Sequence, residues 1–482
     1  MPDALLPEPW WEEAVVYQIY PRSFQDSDGD GIGDLAGIES RLDHLSWLGA
    51  DALWLSPIYP SPLADMGYDV ADHCAVAPEL GDLRGFDRLV TSAHQRGQRV
   101  LLDLVPSHTS IEHRWFREHP EFYVWADQPP NNWVAAFGGP AWTRDERTGR
   151  FYLHSFYPEQ PDLDWRVPEV REAMSEVIRF WADRGVDGFR VDAVQQLMKD
   201  ADLRDDPFAT TPFVLPLGDE YGRLDHVHSE AGSEIAVALE AMREAAGGAL
   251  LVGEVYRPTR DLGPYLEHLD LAFAFELLHA PFDASRLAEV IREGAEARRI
   301  AWALSNHDFP RLATRFGEER SALAAMLLLT LPGTVFLYQG DEIGMVDGAG
   351  GSPPFDRAGR DAHRHPMQWE PEAFGGFTTG APWLGLSDPL TRSVATQRDA
   401  PGSPLELYRS LIALRRDLDG PVEVEVRGEA LEIRRGAHTV VLNLGDREIE
   451  RPEAGHRVLS TIPGRGDARS IAPREGAVFW DS

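Results

Sequence analysis

Short apolar runs alternate with longer amphipathic stretches through most of this chain, and that alternation limits the fold more than any other feature. The runs are Val15–Tyr20, Ala52–Ser56, Arg99–Val105, Gly188–Val191, Leu250–Glu254, Leu269–Phe273, Ile300–Leu304 and Thr334–Tyr338. Between them lie helix-like stretches such as Leu35–Leu48, Leu83–Arg96, Pro168–Asp183, Gly232–Ala245, Ala284–Ala295 and Ser321–Leu331. Parallel strands need long crossovers, usually helical, whereas antiparallel strands need only a turn. Eight strands with intervening helices therefore predict an α/β fold, a parallel (β/α)8 TIM barrel.

Two regions break the alternation. About 60 residues, 108–166, separate the third strand from the next helix, and a connection of this length usually has a function of its own. This stretch is rich in Pro, Trp and Phe, with PPNNW and FGGPAW. After a helix at Pro404–Arg416 the texture changes to short strands at Val422–Val426, Ala430–Arg435, Thr439–Leu444 and Ala477–Trp480. The expected organisation is a barrel formed by 1–107 and 167–418, a loop subdomain at 108–166 inserted after strand 3, and a C-terminal antiparallel β domain at 419–482.

Composition removes several classes of function. A net charge of −33 argues against a nucleic acid or an anionic membrane as partner, because both need a basic surface. Cys74 is the only cysteine, so no intrachain disulfide forms, which suits a reducing compartment. The start, MPDALLPEPWWEEA, lacks the basic and apolar regions of a signal peptide. No apolar run reaches the ~18 residues of a membrane span. A soluble cytoplasmic protein, monomer or homodimer, is the expectation.

Polar residues crowd the ends of the predicted strands. The third ends in DLVPSH (Asp103–His108), the fourth in GFRVD, the fifth in VGEVY with Glu254 and the seventh in SNHD (Ser305–Asp308). In a barrel these ends converge on the face where active sites sit. Arg190 and Asp192 are two apart on one strand and point to one face, where the guanidinium favours an ionised carboxylate. Like charges in the same pocket force another carboxyl to keep its proton. A charged nucleophile beside a protonated acid is the arrangement for cleaving a glycosidic bond. Tyr68, Trp115, Phe151 and Phe156 are aromatic candidates for stacking on a sugar face.

With these motifs in place, the sequence resembles glycoside hydrolase family 13, the α-amylase family, and within it the α-glucosidase and oligo-1,6-glucosidase branch. DLVPSH, GFRVDAV, GEVY and SNHD match the family's four conserved regions, and QPDLDW at Gln160 matches the branch's fifth. The resemblance implies Asp192 as nucleophile, Glu254 as general acid/base and Asp308 as transition-state stabiliser. It implies that His108, Arg190 and His307 bind the sugar at the cleavage subsite, with Tyr68 as a stacking platform. Asp65 and Arg360 would pair to grip the non-reducing terminal glucose, with Gln160 nearby, which implies exo-action on a small oligosaccharide. The expected chemistry is double displacement with retention, by hydrolysis or by transglucosylation, without an organic cofactor.

The acidic loop Asp26–Asp34, DSDGDGIGD, resembles the start of an EF-hand, with acids at positions 1, 3, 5 and 9. Position 12 is Gly37, so the bidentate Glu is missing and there is no EF-hand. A metal loop of the glucosidase branch follows the first strand at this point. The implied ligands are Asp26, Asp28, Asp30, the Ile32 carbonyl and Asp34, for a structural calcium or magnesium ion.

Departures from the family pattern also carry information. Ser107 stands where the family usually has Asn, which makes an amylase-type calcium site between barrel and inserted loop doubtful. His365 replaces Thr in RHPMQW. The segment between Met345 and Arg360 is short, which implies a more open acceptor side. In this branch Val at the position of Ala193 accompanies α-1,6 preference, so Ala193 implies α-1,4-linked substrates. The alternatives are an oligo-1,6-glucosidase, a glucosyl-transferring relative such as a trehalose synthase, or a non-catalytic transporter-associated relative.

Overall fold

A computed structural model describes residues 9–481, apart from 211–219, 231, 233, 298, 353, 451–454 and 467. Eight parallel strands close into a barrel in which each pairs with the next in sequence and the last with the first. They are β1 (Val15–Ile19), β2 (Ala52–Leu55), β3 (Arg99–Leu104), β4 (Gly188–Val191), β5 (Leu250–Gly253), β6 (Leu271–Phe273), β7 (Ile300–Ala303) and β8 (Thr334–Tyr338). Each expected run holds one of these strands.

The strands are buried on both faces, which is why they read as apolar runs and not as alternating ones. Val16, Trp54, Leu101, Val252, Phe273 and Phe336 fill the barrel interior. Tyr17, Leu53, Leu102 and Leu251 point outward into the larger core shared with the helices. Gly253 closes β5 where a side chain has no room, since a Cβ there would lie 2.3 Å from Leu269 Cδ1.

The helical stretch after β1 is divided. It forms α1 (Leu35–Ser40) and α2 (Leu42–Leu48), parted at Arg41. The Arg41 guanidinium lies over the Trp369 ring at 4.3 Å and donates to Gln25 Oε1 at 2.7 Å, and its backbone leaves the helical region there.

Within 108–166, strands Trp125–Ala126, Phe151–Leu153 and Trp142–Arg144 form a separate antiparallel sheet. The polypeptide after the helix Pro404–Arg415 forms a five-stranded antiparallel sheet. Four of its strands coincide with expected runs. The fifth, His456–Ser460, is an edge strand with alternate residues exposed, so it carries no apolar run to find. Arg435 ties this sheet to the barrel through Glu13 at 3.0 Å.

The chain's only lysine joins the inserted region to the barrel. Lys199 Nζ lies 3.2 Å from Asp162 Oδ2 and donates to Ser155 Oγ at 2.8 Å. It also donates to the Gln196 carbonyl at 2.6 Å and to its side-chain oxygen at 2.7 Å. Ser107, at the other side of the junction, bonds His108 Nδ1 at 2.9 Å. Among the described residues no helix is long and apolar enough to cross a membrane.

Candidate active site

The ends of β3, β4, β5 and β7 bring their polar residues together as the motifs imply. The strand ladder extends one residue beyond β4 and β5, with Asp192 N donating to the Leu104 carbonyl and Glu254 N to that of Val191. The two carboxyls are thereby fixed at the rim of one cavity of about 520 Å³, which Asp308, Asp65, Tyr68 and His108 also line.

Arg190 is the hub of this site. One guanidinium contacts Asp103 at 2.6 Å, Asp192 at 2.6 Å and Glu254 at 2.5 Å. It is 2% exposed and lies beneath the cavity wall, so it acts on the carboxyls from behind. The expectation that Arg190 keeps Asp192 ionised is met only in part. Burial outweighs the cation and pushes Asp192 up to about 7. Burial, reinforced by Asp192 and Asp308, pushes Glu254 up to about 8 against Arg190. Glu254 is thus the carboxyl that retains a proton at neutral pH, and its Oε2 also accepts from Ala193 N at 2.9 Å.

Asp308 has the opposite setting. Burial raises it, but His307, Arg360 and Arg364 together hold it well below the usual carboxylate range. Arg360 and Arg364 each reach its Oδ1 at 2.9 Å. One pocket therefore contains a carboxylate that stays charged and a carboxyl that stays protonated.

Arg360 and Asp65, both in the lining of the cavity, form the expected ion pair. Gln160 donates to Asp65 at 3.0 Å and lies 3.0 Å from His108 Nε2. Asp356 steadies Arg360 from the other side at 2.9 Å. His307 is wholly buried and does not line the cavity. Burial lowers its pKa to about 3, so it is neutral. The Gln18 amide faces His307 Nδ1 at 2.8 Å, which leaves Nε2–H to donate to Tyr68 Oη at 2.7 Å. Tyr68 in turn donates to Asp103 at 3.0 Å and stacks on His307 with ring centroids 5.5 Å apart.

Of the aromatic candidates, Tyr68 and Phe156 line the cavity. Trp115 and Phe151 do not. Trp115 packs on His73, His113 and Phe122, and Phe151 belongs to the core of the inserted sheet. Phe137, Tyr157, Tyr221, Tyr256 and Phe309 form the remaining aromatic wall. They lie on loops or, for Tyr221, on a single 3-10 turn, with no periodic pattern to mark them. Asp103, Asp356 and Arg364 also went unassigned in the sequence. The first stands inside the DLVPSH motif, and only the i, i+4 spacing of Asp356 and Arg360 hinted at the second.

Ala193 lines the cavity with a left-handed backbone, φ 44° and ψ 49°. His365 binds the Gly385 carbonyl and accepts from Gly350 N at 3.3 Å, so it braces the short segment before Arg360. In the acidic loop, Asp26, Asp28 and Asp34 present oxygens within 4.8 Å of one another. Asp30 is outside this group, with its carboxylate accepting from Ile32 N at 2.8 Å.

Comparison with known proteins agrees with the geometry. The family description "Alpha amylase, catalytic domain" matches residues 18–420. A probable alpha-glucosidase of Rhizobium meliloti is 39% identical over 97% of this chain and 95% of its own length. An oligo-1,6-glucosidase of Heyndrickxia coagulans is 36% identical over 85% of this chain and 86% of its own. The crystal structure of an alpha-glucosyl transfer enzyme, 34% identical, superposes with a TM-score of 0.91 over 98% of this chain and 99% of that one. With a closed barrel, the strand-end carboxyls in one cavity and relatives aligned along nearly their whole length, this chain belongs to the α-amylase family of glycoside hydrolases, in its α-glucosidase branch.

Proposed function

We propose that the protein is a retaining, exo-acting α-glucosidase that removes terminal α-linked glucose from short oligosaccharides. The observation that carries this is the single Arg190 fork spanning Asp192 and Glu254 in a cavity closed by the Asp65–Arg360 pair. A shared guanidinium favours the carboxyl spacing of about 5–5.5 Å used by retaining enzymes over the wider gap that admits water. A cavity closed at one end by this pair stops the chain after one terminal sugar.

Glu254 gives its proton to the glycosidic oxygen while an Asp192 oxygen bonds to C1, and the aglycone leaves as a neutral alcohol. The Glu254 carboxylate then takes a proton from water or from an acceptor hydroxyl. That oxygen displaces Asp192 from C1, and the α-anomer is released. Asp308, held charged by Arg360 and Arg364, stabilises the oxocarbenium-like transition state. His108 and Asp65 supply hydrogen bonds to the glucose hydroxyls, and Gln160, wholly buried and outside the cavity lining, holds both of them in place.

The small Ala193 side chain and the short segment before Arg360 support α-1,4-linked substrates such as maltose and maltotriose. Asp26, Asp28 and Asp34 fit a calcium or magnesium ion, since all three offer hard oxygen donors. Such an ion would brace the loop and supply no chemistry to the reaction.

The test is hydrolysis of a chromogenic α-glucoside by wild type and by Asp192→Ala. Loss of about 10³-fold or more in kcat is expected when a nucleophile is removed. Equal activity in the two proteins would overturn the catalytic assignment.

A further inference from the structure

Arg357 lines the catalytic cavity three residues before Arg360, yet the reaction gives it no task. Its guanidinium touches three separate segments of the chain. It contacts Glu159 Oε1 at 3.2 Å and Oε2 at 3.1 Å, and it donates to the Ala64 carbonyl at 3.2 Å. It also lies over the Tyr157 ring, 4.2 Å from the centroid. Ala64 belongs to the loop after β2, Tyr157 and Glu159 to the inserted region, and Arg357 itself to the loop after β8. One side chain therefore fastens three loops together.

Each of these contacts adjoins a group that grips the terminal glucose. Ala64 is followed directly by Asp65. Tyr157 N donates to Gln160 Oε1 at 3.1 Å, and Gln160 holds Asp65 through its amide. Tyr157 stacks on Phe137 with ring centroids 4.4 Å apart, and Arg360 covers Phe137 from 5.3 Å. Arg360 is also fixed within its own turn. There the wholly buried Asp356 accepts from Arg360 N at 2.7 Å and from Nε and Nη2 at 2.9 Å. That bond cannot set the distance between the turn and the inserted region. Among the described residues, the hydrogen bonding that spans this gap comes from Arg357 alone.

The Arg357 and Glu159 side chains are 46% and 37% exposed, and ion pairs this open to solvent add little to stability. The contact is better suited to holding the geometry of the pocket than to holding the fold. We propose that Arg357 is a positioning residue, a latch that ties the loop after β8 to the inserted region and keeps Asp65 and Arg360 at the spacing that retains the terminal glucose. The inference rests on the glucosidase reading of this pocket and assigns it a further residue. Such a latch acts on the glucose being cleaved and not on the group attached to it.

The experiment measures kcat and KM of the full chain on maltose and on p-nitrophenyl α-glucoside, with the midpoint of urea unfolding alongside. Arg357→Ala should raise KM by about tenfold, by the same factor for both substrates, with a smaller fall in kcat, as when binding common to ground state and transition state is lost. The urea midpoint should stay at the wild-type value. Arg357→Lys keeps a charge for Glu159 but lacks the flat fork that spans Glu159, Ala64 and the Tyr157 ring, so it should recover KM only in part. Glu159→Gln should raise KM in wild type by about threefold and change it by less than about twofold once Arg357 is Ala, because its partner is then gone. A KM for Arg357→Ala within about twofold of wild type, or a rise confined to one of the two substrates, would overturn the proposal. So would a lowered urea midpoint with kcat and KM impaired together, which marks a merely structural role. Absence of p-nitrophenol release from wild type would instead refute the glucosidase reading.

Discussion

Replacing Lys199 with Met tests whether one buried cation holds the inserted region on the barrel. The substitution keeps the length of the side chain and removes the charge. Lys199 is 4% exposed and Asp162 is 1% exposed, so the pair is shielded from solvent. Without the ammonium, Asp162 retains bonds from Ser155 N at 2.9 Å and Ser155 Oγ at 2.5 Å. The Gln196 carbonyl loses the ammonium donor, and its side-chain oxygen keeps only Ser155 Oγ at 3.0 Å. Breaking one partner of a buried pair costs about 3–5 kcal/mol, and the bonds Asp162 keeps point to the lower end of that range. The measurement is the midpoint of urea unfolding, together with proteolytic cleavage within 108–166. A second variant isolates the cause. Lys199→Met/Asp162→Asn removes both charges and should recover about half of the loss, because an unpaired buried ion costs more than an absent pair. Catalysis should respond too, since Gln160 lies on the same segment as Asp162 and grips Asp65, so KM for maltose should rise more than kcat falls. A single variant as stable as wild type, or a double variant no better than the single, would falsify this account.

The pH profile of kcat/KM should be bell-shaped. Activity needs Asp192 ionised and Glu254 protonated, so it rises as Asp192 loses its proton, near about 7, and falls as Glu254 loses its own, near about 8; a plateau extending above pH 10 would contradict the role of Glu254. The same burial should make Glu254 a cost to stability. Its folded-state pKa is raised, so its contribution is complete below the unfolded value and declines as pH rises toward the folded one. Glu254→Gln should therefore raise the unfolding free energy at pH 7, by about 3 kcal/mol from the size of the shift, and calorimetry at pH 4 should show the difference nearly gone. Ala193→Val forces a β-branched residue into left-handed backbone, at a cost of about 1–2 kcal/mol, and should lower the maltose-to-isomaltose rate ratio; an unchanged ratio would remove Ala193 from linkage selection. Treatment with a chelator should lower the melting temperature of wild type but not of Asp26→Asn/Asp28→Asn, and equal shifts in the two would argue against an ion at that loop.

The barrel was legible because its strands are buried on both faces, so their apolar runs survive without tertiary information. The catalytic carboxyls were legible for a related reason: each follows a strand directly, as Asp192 follows Val191 and Glu254 follows Gly253, and a closed barrel fixes where strand ends meet. Long-range pairings were less visible. Arg360 and Asp65 are 295 residues apart, and only the family resemblance joined them. The aromatic wall was misjudged in part because Trp115 and Phe151 look the same in sequence as Phe137 and Tyr157. What separates them is where the backbone carries the ring: Trp115 on a short helix and Phe151 on a strand face local cores, whereas Phe137 and Tyr157 face the cavity.

The protonation pattern was the hardest feature to read, and the reason is physical. From sequence, Arg190 next to Asp192 suggests a private pair in which the cation wins. In the fold the same guanidinium is shared among Asp103, Asp192 and Glu254. One positive charge divided among three buried carboxyls cannot hold all of them low, so burial raises Asp103 to about 6, Asp192 to about 7 and Glu254 to about 8. Asp308 escapes because it has Arg360 and Arg364 as well. The division of labour between acid and stabiliser therefore comes from how many cations each carboxyl commands after burial. That count depends on residues as far along the chain as Arg364. A mutation that gave Glu254 a second cation would leave the constellation intact and still abolish the acid, because the proton it must donate would already be gone at neutral pH.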